Sequence, residues 1–278
     1  MIIANNLKPV TKWVGGKRQL VSKLIEHLPQ DFNSYFEPFI GGGALLLALA
    51  PQKAIINDNN QELINVYRVI KDHPLSLLAE LQKHQDNNSK EYYLYVRNWD
   101  RSEIWQQLTP IQRAARLLYM LRVDFNGLYR VNKKGQFNVP YGKYKNPNIV
   151  NRDDILRVSN YFQQANIQIL CGDFQKAVAS AQKNDLVYFD PPYIPLTSTA
   201  NFTSYTKDDF TLEDQKRLCQ TFFDLARRDV KVMLSNSDTA LTRSLYKNAN
   251  IHIVQARRAI NSNAQKRGKI NEVIITSY

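Results

Sequence analysis

Ser34-Tyr35-Phe36-Glu37-Pro38-Phe39-Ile40-Gly41-Gly42-Gly43-Ala44-Leu45-Leu46-Leu47-Ala48-Leu49-Ala50, with Ala54-Ile55-Ile56-Asn57-Asp58 just after it, is the stretch on which the fold turns. Tyr35 and Phe36 open a strand, three glycines make a turn, an apolar run suited to a helix follows, and a second short strand ends on an acid. Strand, glycine turn, helix, strand and acid in that order are the mark of a nucleotide-binding βαβ unit with a parallel sheet. Glycine has no side chain to clash, so a cofactor can approach the backbone of such a turn closely. Asp58, seventeen residues beyond Gly41, is placed to hydrogen-bond ribose hydroxyls. The pair narrows the ligand to an adenosine-type cofactor without saying which.

Working outward, Leu20, Val21, Leu24, Ile25 and Leu28 recur at helical spacing and stop at Pro29, which predicts an amphipathic helix over 17–28. Residues 60–120 hold helical stretches at 63–70, 75–81 and 112–122 but no convincing strand. A β-hairpin is then expected within 125–144, with Tyr129-Arg130-Val131 and Gln136-Phe137-Asn138-Val139 flanking the turn Asn132-Lys133-Lys134-Gly135. Strands and helices alternate again afterwards: strands at 167–170 and 186–189, a helix over 212–228, a strand at 230–234, a helix over 239–248, and strands at 251–254 and 272–276. The expected fold is α/β, with a discontinuous Rossmann-like core of residues 1–57 and 146–278. A mainly helical segment, 58–145, interrupts it and ends in a hairpin at about 124–145.

Thirty-seven Lys and Arg against 25 Asp and Glu leave a formal charge of +12. That balance favours a polyanionic partner, because neutralising phosphates releases condensed counterions. Its placement decides more than its size. Arg122, Arg130, Lys133, Lys134, Lys143 and Lys145 face a single acid, Asp124, in a stretch interleaved with Phe, Tyr and Asn, and Arg257, Arg258, Lys266, Arg267 and Lys269 form a second cluster without any acid. Cys171 and Cys219 have no neighbouring Cys or His at ligand spacing, so neither a disulfide framework nor a zinc site is expected. The four His residues (His27, His73, His84, His252) suggest no acid/base or metal work. The longest apolar run, 44–50, is far short of the roughly 20 residues of a membrane span, and the first residues lack a secretory pattern. The expectation is a cytoplasmic protein without metal or membrane partner.

Asp190-Pro191-Pro192-Tyr193 follows the buried-looking strand 186–189, where a doubly wound sheet puts its ligand. As chemistry it suits a planar amine. The Asp190 carboxylate and the Pro191 carbonyl can each accept one N–H bond, the two prolines hold the backbone rigid, and Tyr193 offers a ring for a base to stack on. Both acceptors push electron density onto the nitrogen as it attacks a sulfonium methyl, so stabilisation grows toward the transition state. Such a transfer needs no metal.

With these motifs in one order, the chain resembles the Dam-type DNA adenine-N6 methyltransferases, the GATC-specific D12 class, over essentially its whole length. Lys12-Trp13-Val14-Gly15-Gly16-Lys17 is similar to that family's N-terminal cofactor motif, Glu37 to Gly43 to its glycine turn, and Asp190-Pro191-Pro192-Tyr193 to its catalytic motif. Phe125-Asn126-Gly127-Leu128-Tyr129-Arg130 with Phe137 to Tyr144 resembles its DNA-reading hairpin, and Asn201-Phe202-Thr203 and Leu234-Ser235-Asn236 match it as well. The resemblance implies a methyltransferase using S-adenosylmethionine, leaving S-adenosylhomocysteine, on the N6 amine of a flipped-out adenine in double-stranded DNA, in GATC. It further implies a monomer in a bacterial or phage-infected cell, associated with the nucleoid. Alternatives are an RNA adenine or DNA cytosine-N4 methyltransferase, or an inactive DNA-binding relative.

The same resemblance makes Trp13, Gly15, Lys17, Phe39, Gly41, Gly43, Asp58, Asp173 and Asp190 cofactor residues, with Trp13 equally readable as a core aromatic. Lys12, Leu128, Arg130 and Pro140 would read bases, Arg130 alternatively holding a phosphate, and Phe125 would wedge into the stack where close relatives have Tyr. Asn126, Asn138 and Tyr144 would position the DNA backbone. Lys133 and Lys134 are phosphate contacts or solvated charge. Residues 194–210 either order over the extruded base or form a loose loop.

Overall fold

Seven strands, β1 (Tyr35–Glu37), β2 (Lys53–Ile56), β3 (Asn166–Ile169), β4 (Leu186–Phe189), β5 (Lys231–Ser237), β6 (Asn250–Arg257) and β7 (Lys269–Thr276), form one sheet in the order β3-β2-β1-β4-β5-β7-β6. The structure is a computed structural model and describes residues 6–13, 15, 17–195, 210–257 and 269–278. Neighbouring strands are parallel except at β7, which runs antiparallel to both β5 and β6. From β1 the chain builds outward through β2 to β3, then returns to lay β4 on the other side of β1. That reversal opens a crevice at the C-terminal ends of β1 and β4, where open α/β sheets bind ligands.

The central strands β1, β4 and β5 are buried on both faces, which suits parallel pairing, and residues of β1, β2 and β4 alternate between two cores. Tyr35, Ala54, Ile56, Leu186 and Tyr188 face one core, and Phe36, Ile55, Val187 and Phe189 the other. Eleven α-helices are described: α1 (Val21–Glu26), α2 (Ala44–Leu49), α3 (Gln61–Asp72), α4 (Pro74–Asp86), α5 (Lys90–Arg97), α6 (Ile104–Gln107), α7 (Pro110–Val123), α8 (Arg152–Gln164), α9 (Phe174–Ala177), α10 (Leu212–Arg227) and α11 (Ala240–Leu245). Leu63, Leu77, Leu117 and Phe162 from α3, α4, α7 and α8 lie in the same core as Tyr35 and Ile56, so the helical segment and that face of the sheet share one interior. Phe174, Leu218 and Phe222 from α9 and α10 pack in the other.

The helix starts are chemically marked. Asn60 accepts the Leu63 amide before α3, and capping boxes join Thr109 to Gln112 and Thr211 to Asp214 before α7 and α10. The expected stretches 63–70, 75–81 and 112–122 fall within α3, α4 and α7. The expected helix over 17–28 divides into a 3₁₀ turn, Lys17–Gln19, and α1, and that over 239–248 shrinks to α11. Four helices lie outside the expected stretches, the four-residue α6 and α9 and the longer α5 and α8. The α5 segment is tyrosine-rich and strand-like in propensity, yet Ser89 caps it and Tyr93 and Val96 bury one side. In α8, Ile155, Val158 and Phe162 at helical spacing seal the core over α3 and α4.

The expected hairpin takes another form, two isolated antiparallel bridges, Asp124–Tyr141 and Val131–Phe137, in place of continuous strands. Side chains take up backbone groups a ladder would use. Asn132 Oδ1 accepts the amides of Lys134 and Gln136, Asp100 Oδ2 accepts that of Phe137, and Tyr93 and Arg97 donate to the Val139 carbonyl. The ribbon is thereby sewn to α5 and the turn after it. Among the described residues no helix is long and apolar enough to cross a membrane.

Candidate active site

The glycine turn leaves β1 at the crevice. Gly41 and Gly43 adopt left-handed backbone, φ 45° and 66°, which favours glycine. Their missing side chains serve packing: a Cβ on Gly41 would stand 3.0 Å from Trp13 Cδ1, and one on Gly43 2.9 Å from the Tyr67 hydroxyl. Asp58, just past β2, accepts the Gly41 amide on Oδ2 at 3.1 Å and the Asn60 amide on Oδ1 at 3.0 Å. Burial pushes its carboxyl up to about 6, against the pull of those amides. The Asn59 amide bonds it as well, so of about four acceptor positions one is left, which fits a ribose hydroxyl.

Asp190 leaves the end of β4 beside this turn. Lys17 Nζ lies 2.9 Å from Asp190 Oδ1, 4.2 Å from the centre of the Tyr193 ring, and donates to the Gly15 carbonyl at 2.9 Å. Burial pushes Asp190 up to about 6, with the Lys17 charge opposing and Glu272 adding to the rise. The structure thus brings Gly15, Lys17, Asp190 and Tyr193 together. A second carboxyl, Glu37 at the end of β1, is 3 % exposed and accepts from the Tyr35 hydroxyl at 2.8 Å and the Leu46 amide at 3.1 Å. Burial, with the Asp190 charge, pushes it up to about 8, so it is protonated at neutral pH.

The backbone of 190–194 is held from α10 and β5. Fully buried Gln215 donates Nε2 to the Pro192 carbonyl at 2.8 Å, and Asn236 Oδ1 accepts the Ile194 amide at 3.0 Å. The Tyr193 hydroxyl donates to Glu272 Oε2 on β7 at 3.1 Å. Gln215 and Glu272 escaped the sequence reading. Neither sits in a recognisable motif, and only the fold brings them to the crevice. Pro191 is buried and Pro192 half-buried.

Phe39 stacks on Phe174 with ring centres 5.4 Å apart, giving an aromatic wall. Neighbouring Asp173 receives Arg217 from α10 at 2.8 Å and caps α9 through the Gln175 amide, so both its oxygens are engaged. Trp13, half-buried, lies between the glycine turn and the ribbon and stacks on Tyr129 at 4.8 Å.

Beyond Trp13 the ribbon carries the expected DNA-facing residues. Lys12 lies over the Tyr144 ring at 4.6 Å. Arg130 donates Nε to Asn138 Oδ1 at 2.7 Å. Asn126 is left-handed at φ 64°, and Phe125 beside it is 52 % exposed although apolar. Lys133, Lys134 and Pro140 are exposed, whereas Leu128 packs partly against the core. Val14, Gly16, the Asn201-Phe202-Thr203 motif and most of 194–210 lie outside the described residues. So do Arg258, Lys266 and Arg267, and the side chains of Arg257 and Lys269.

The family model for D12 class N6 adenine-specific DNA methyltransferases matches residues 13–260. The chain is 55% identical to the Type II methyltransferase M1.LlaDCHI of Lactococcus lactis subsp. cremoris, over 98% of this chain and 96% of that one. It is 41% identical to the Type II methyltransferase M.MjaIII of Methanocaldococcus jannaschii, over 98% and 99%. With the DNA adenine methylase of Escherichia coli (strain K12) it shares 36% identity, over 95% and 92%. Likeness of this extent leaves one conclusion: the chain belongs to the D12 class of N6 adenine-specific DNA methyltransferases.

Proposed function

We propose that this adenine-specific DNA methyltransferase acts on the adenine of GATC, extruding it from the duplex into the crevice at Asp190. Residues 58–145, joined by Lys12, read the DNA, and 1–57 with 146–278, joined by Asp58 at the boundary, carry out the transfer. The observation that carries the reading is the meeting of Asp190 and Tyr193 with Lys17 at the crevice between β1 and β4. S-adenosylmethionine, the methyl donor of the family, supplies an electrophilic sulfonium methyl when bound. Asp58 suits its ribose, the Phe39–Phe174 wall its adenine, and the Gly15, Lys17 and Gly41 to Gly43 backbone its remaining polar groups; Asp173 would have to share itself with Arg217.

The target amine donates one N–H to the Asp190 carboxylate and one to the Pro191 carbonyl. A carboxylate has about four acceptor positions, so Asp190 serves Lys17 and the amine together. These acceptors matter more as the nitrogen becomes positive, which is where rate is gained. A base inside a duplex cannot reach them, which requires extrusion. Exposed Phe125 supplies the wedge, Lys12, Leu128, Arg130 and Pro140 the base contacts, and Asn126, Asn138, Tyr144, Lys133 and Lys134 the backbone contacts.

The test is transfer from labelled S-adenosylmethionine to duplexes that differ from GATC at one base pair. The reading expects label on adenine N6 in GATC and a loss of about 1–3 kcal/mol in specificity for each changed pair. Equal labelling of all adenine-containing duplexes would overturn the GATC assignment.

A further inference from the structure

β7 is the one described strand that runs against its neighbours, so its beginning, where the other strands end, lies at the reactive edge of the sheet. Glu272 pairs with Ser237 of β5 and Val254 of β6, and its carboxylate accepts the Tyr193 hydroxyl at 3.1 Å. Tyr193 is therefore restrained at two points. The Lys17 ammonium stands 4.2 Å from the ring centre, and the hydroxyl is tethered to a strand 79 residues further along the chain.

A ring on a single-bonded side chain can swing, and stacking depends on the angle of its plane. A cation over one face resists rotation of the ring about its long axis but leaves that axis free to tilt. A hydrogen bond at the far end of the ring removes much of the swing. The tether is charge-assisted, which makes it about twice as strong as a neutral one. A strand hydrogen-bonded on both sides is also a firmer anchor than a loop.

We propose that Glu272 is a positioning residue for methyl transfer, fixing the plane of Tyr193 on which the extruded adenine stacks. The proposal rests on the reading of Asp190-Pro191-Pro192-Tyr193 as the amine site. Glu272 acts through the Tyr193 hydroxyl; its charge also raises the Asp190 carboxyl, so parent and variants are compared well above pH 6, where Asp190 is ionised in all of them.

The experiment compares Glu272→Ala, Glu272→Gln, Tyr193→Phe and the double variant Glu272→Ala/Tyr193→Phe with the parent. Single-turnover methyl transfer is read alongside the fluorescence of 2-aminopurine placed at the target adenine. Glu272→Ala should slow transfer about tenfold, part of what base stacking is worth, and brighten the extruded 2-aminopurine, which a fixed ring would quench. Glu272→Gln keeps an acceptor for the hydroxyl and should recover most of the rate. Tyr193→Phe should itself lose about tenfold, and adding Glu272→Ala to it should cost less than about twofold, since the tether is already gone.

Additive losses in the double variant, or transfer by Glu272→Ala at the parent rate, would overturn the proposal. Should Glu272→Ala fail to fold, Tyr193→Phe decides: a parent-like rate and fluorescence there overturn it equally. If the parent labels no adenine, the reading of the site has failed. If the parent labels adenine and the variants match it, only the role of Glu272 has.

Discussion

Lys17 holds Asp190 at 2.9 Å, and this ion pair opposes the rise that burial imposes on the carboxyl proposed to bind the amine. A protonated Asp190 cannot serve as a full acceptor. With its carboxyl raised by burial to about 6, transfer should rise with pH through that value and level off above it. The Lys17 charge works against the rise, so Lys17→Met should move the midpoint upward, by roughly 1 unit for a lost opposite charge. Single-turnover rates between about pH 5 and 9 check this. A midpoint that stays or moves down would contradict it.

Glu37 gives a stability signature with the opposite sense to a salt-bridged acid. Its native carboxyl is raised from 4.5 to about 8, so the native state keeps a proton that the unfolded chain has already released. Its contribution is full below about 4.5 and is lost as pH climbs to about 8. Glu37→Gln cannot lose a proton. Thermal melts should therefore show the parent falling relative to Glu37→Gln as pH rises through this window; parallel curves would speak against a protonated Glu37.

Gln215→Leu removes the donor to the Pro192 carbonyl and leaves that part-buried oxygen without this partner. Urea unfolding should show a loss of about 1–3 kcal/mol. Turnover should fall further than donor affinity does, because the carbonyl belongs to the segment that presents Asp190 and Tyr193. A loss confined to donor affinity would move Gln215 out of this role.

Arg130 bonds to Asn138 in the protein alone, so its guanidinium is held in a defined pose before DNA arrives. As a base reader its planar fork can meet a guanine edge in the major groove. Arg130→Ala should then cost ~1–3 kcal/mol on GATC and leave near-cognate duplexes almost unchanged. Equal weakening of all duplexes in a binding series would make it a phosphate contact instead.

Lys133 and Lys134 sit exposed at the ribbon turn. Affinity for any duplex should fall with salt at a log–log slope of about −0.9 per phosphate neutralised, and Lys134→Ala should make it shallower by about one contact. The preferred sequence should not change. An altered preference in the same titration would assign Lys134 to base reading.

The parallel core was legible because its strands are short apolar runs bounded by Gly, Pro and Asp, and the place of Asp190-Pro191-Pro192-Tyr193 in the crevice because it follows a strand end. Local pattern could not supply α5, whose tyrosines favour strand until Ser89 and the core decide otherwise. The ribbon was legible as a turn between two short runs but not as bridges, since Asp100, Tyr93 and Arg97 that intercept its backbone lie about 40 residues earlier. Gln215 and Glu272 were hidden for the same reason. Each reaches the crevice through sheet order and helix packing, which no nearby residue announces.

Trp13 touches both Gly41, where a Cβ would stand 3.0 Å from its Cδ1, and Tyr129, whose ring stacks on it. On the proposed function the indole is in effect a party wall between the glycine turn that would hold the donor and the ribbon that would meet DNA. Linkage then works in both directions: by whatever factor a duplex leaning on Tyr129 alters the hold on the donor, the donor alters the hold on the duplex. Occupancy on one side and affinity on the other are a single free energy, read from two rooms.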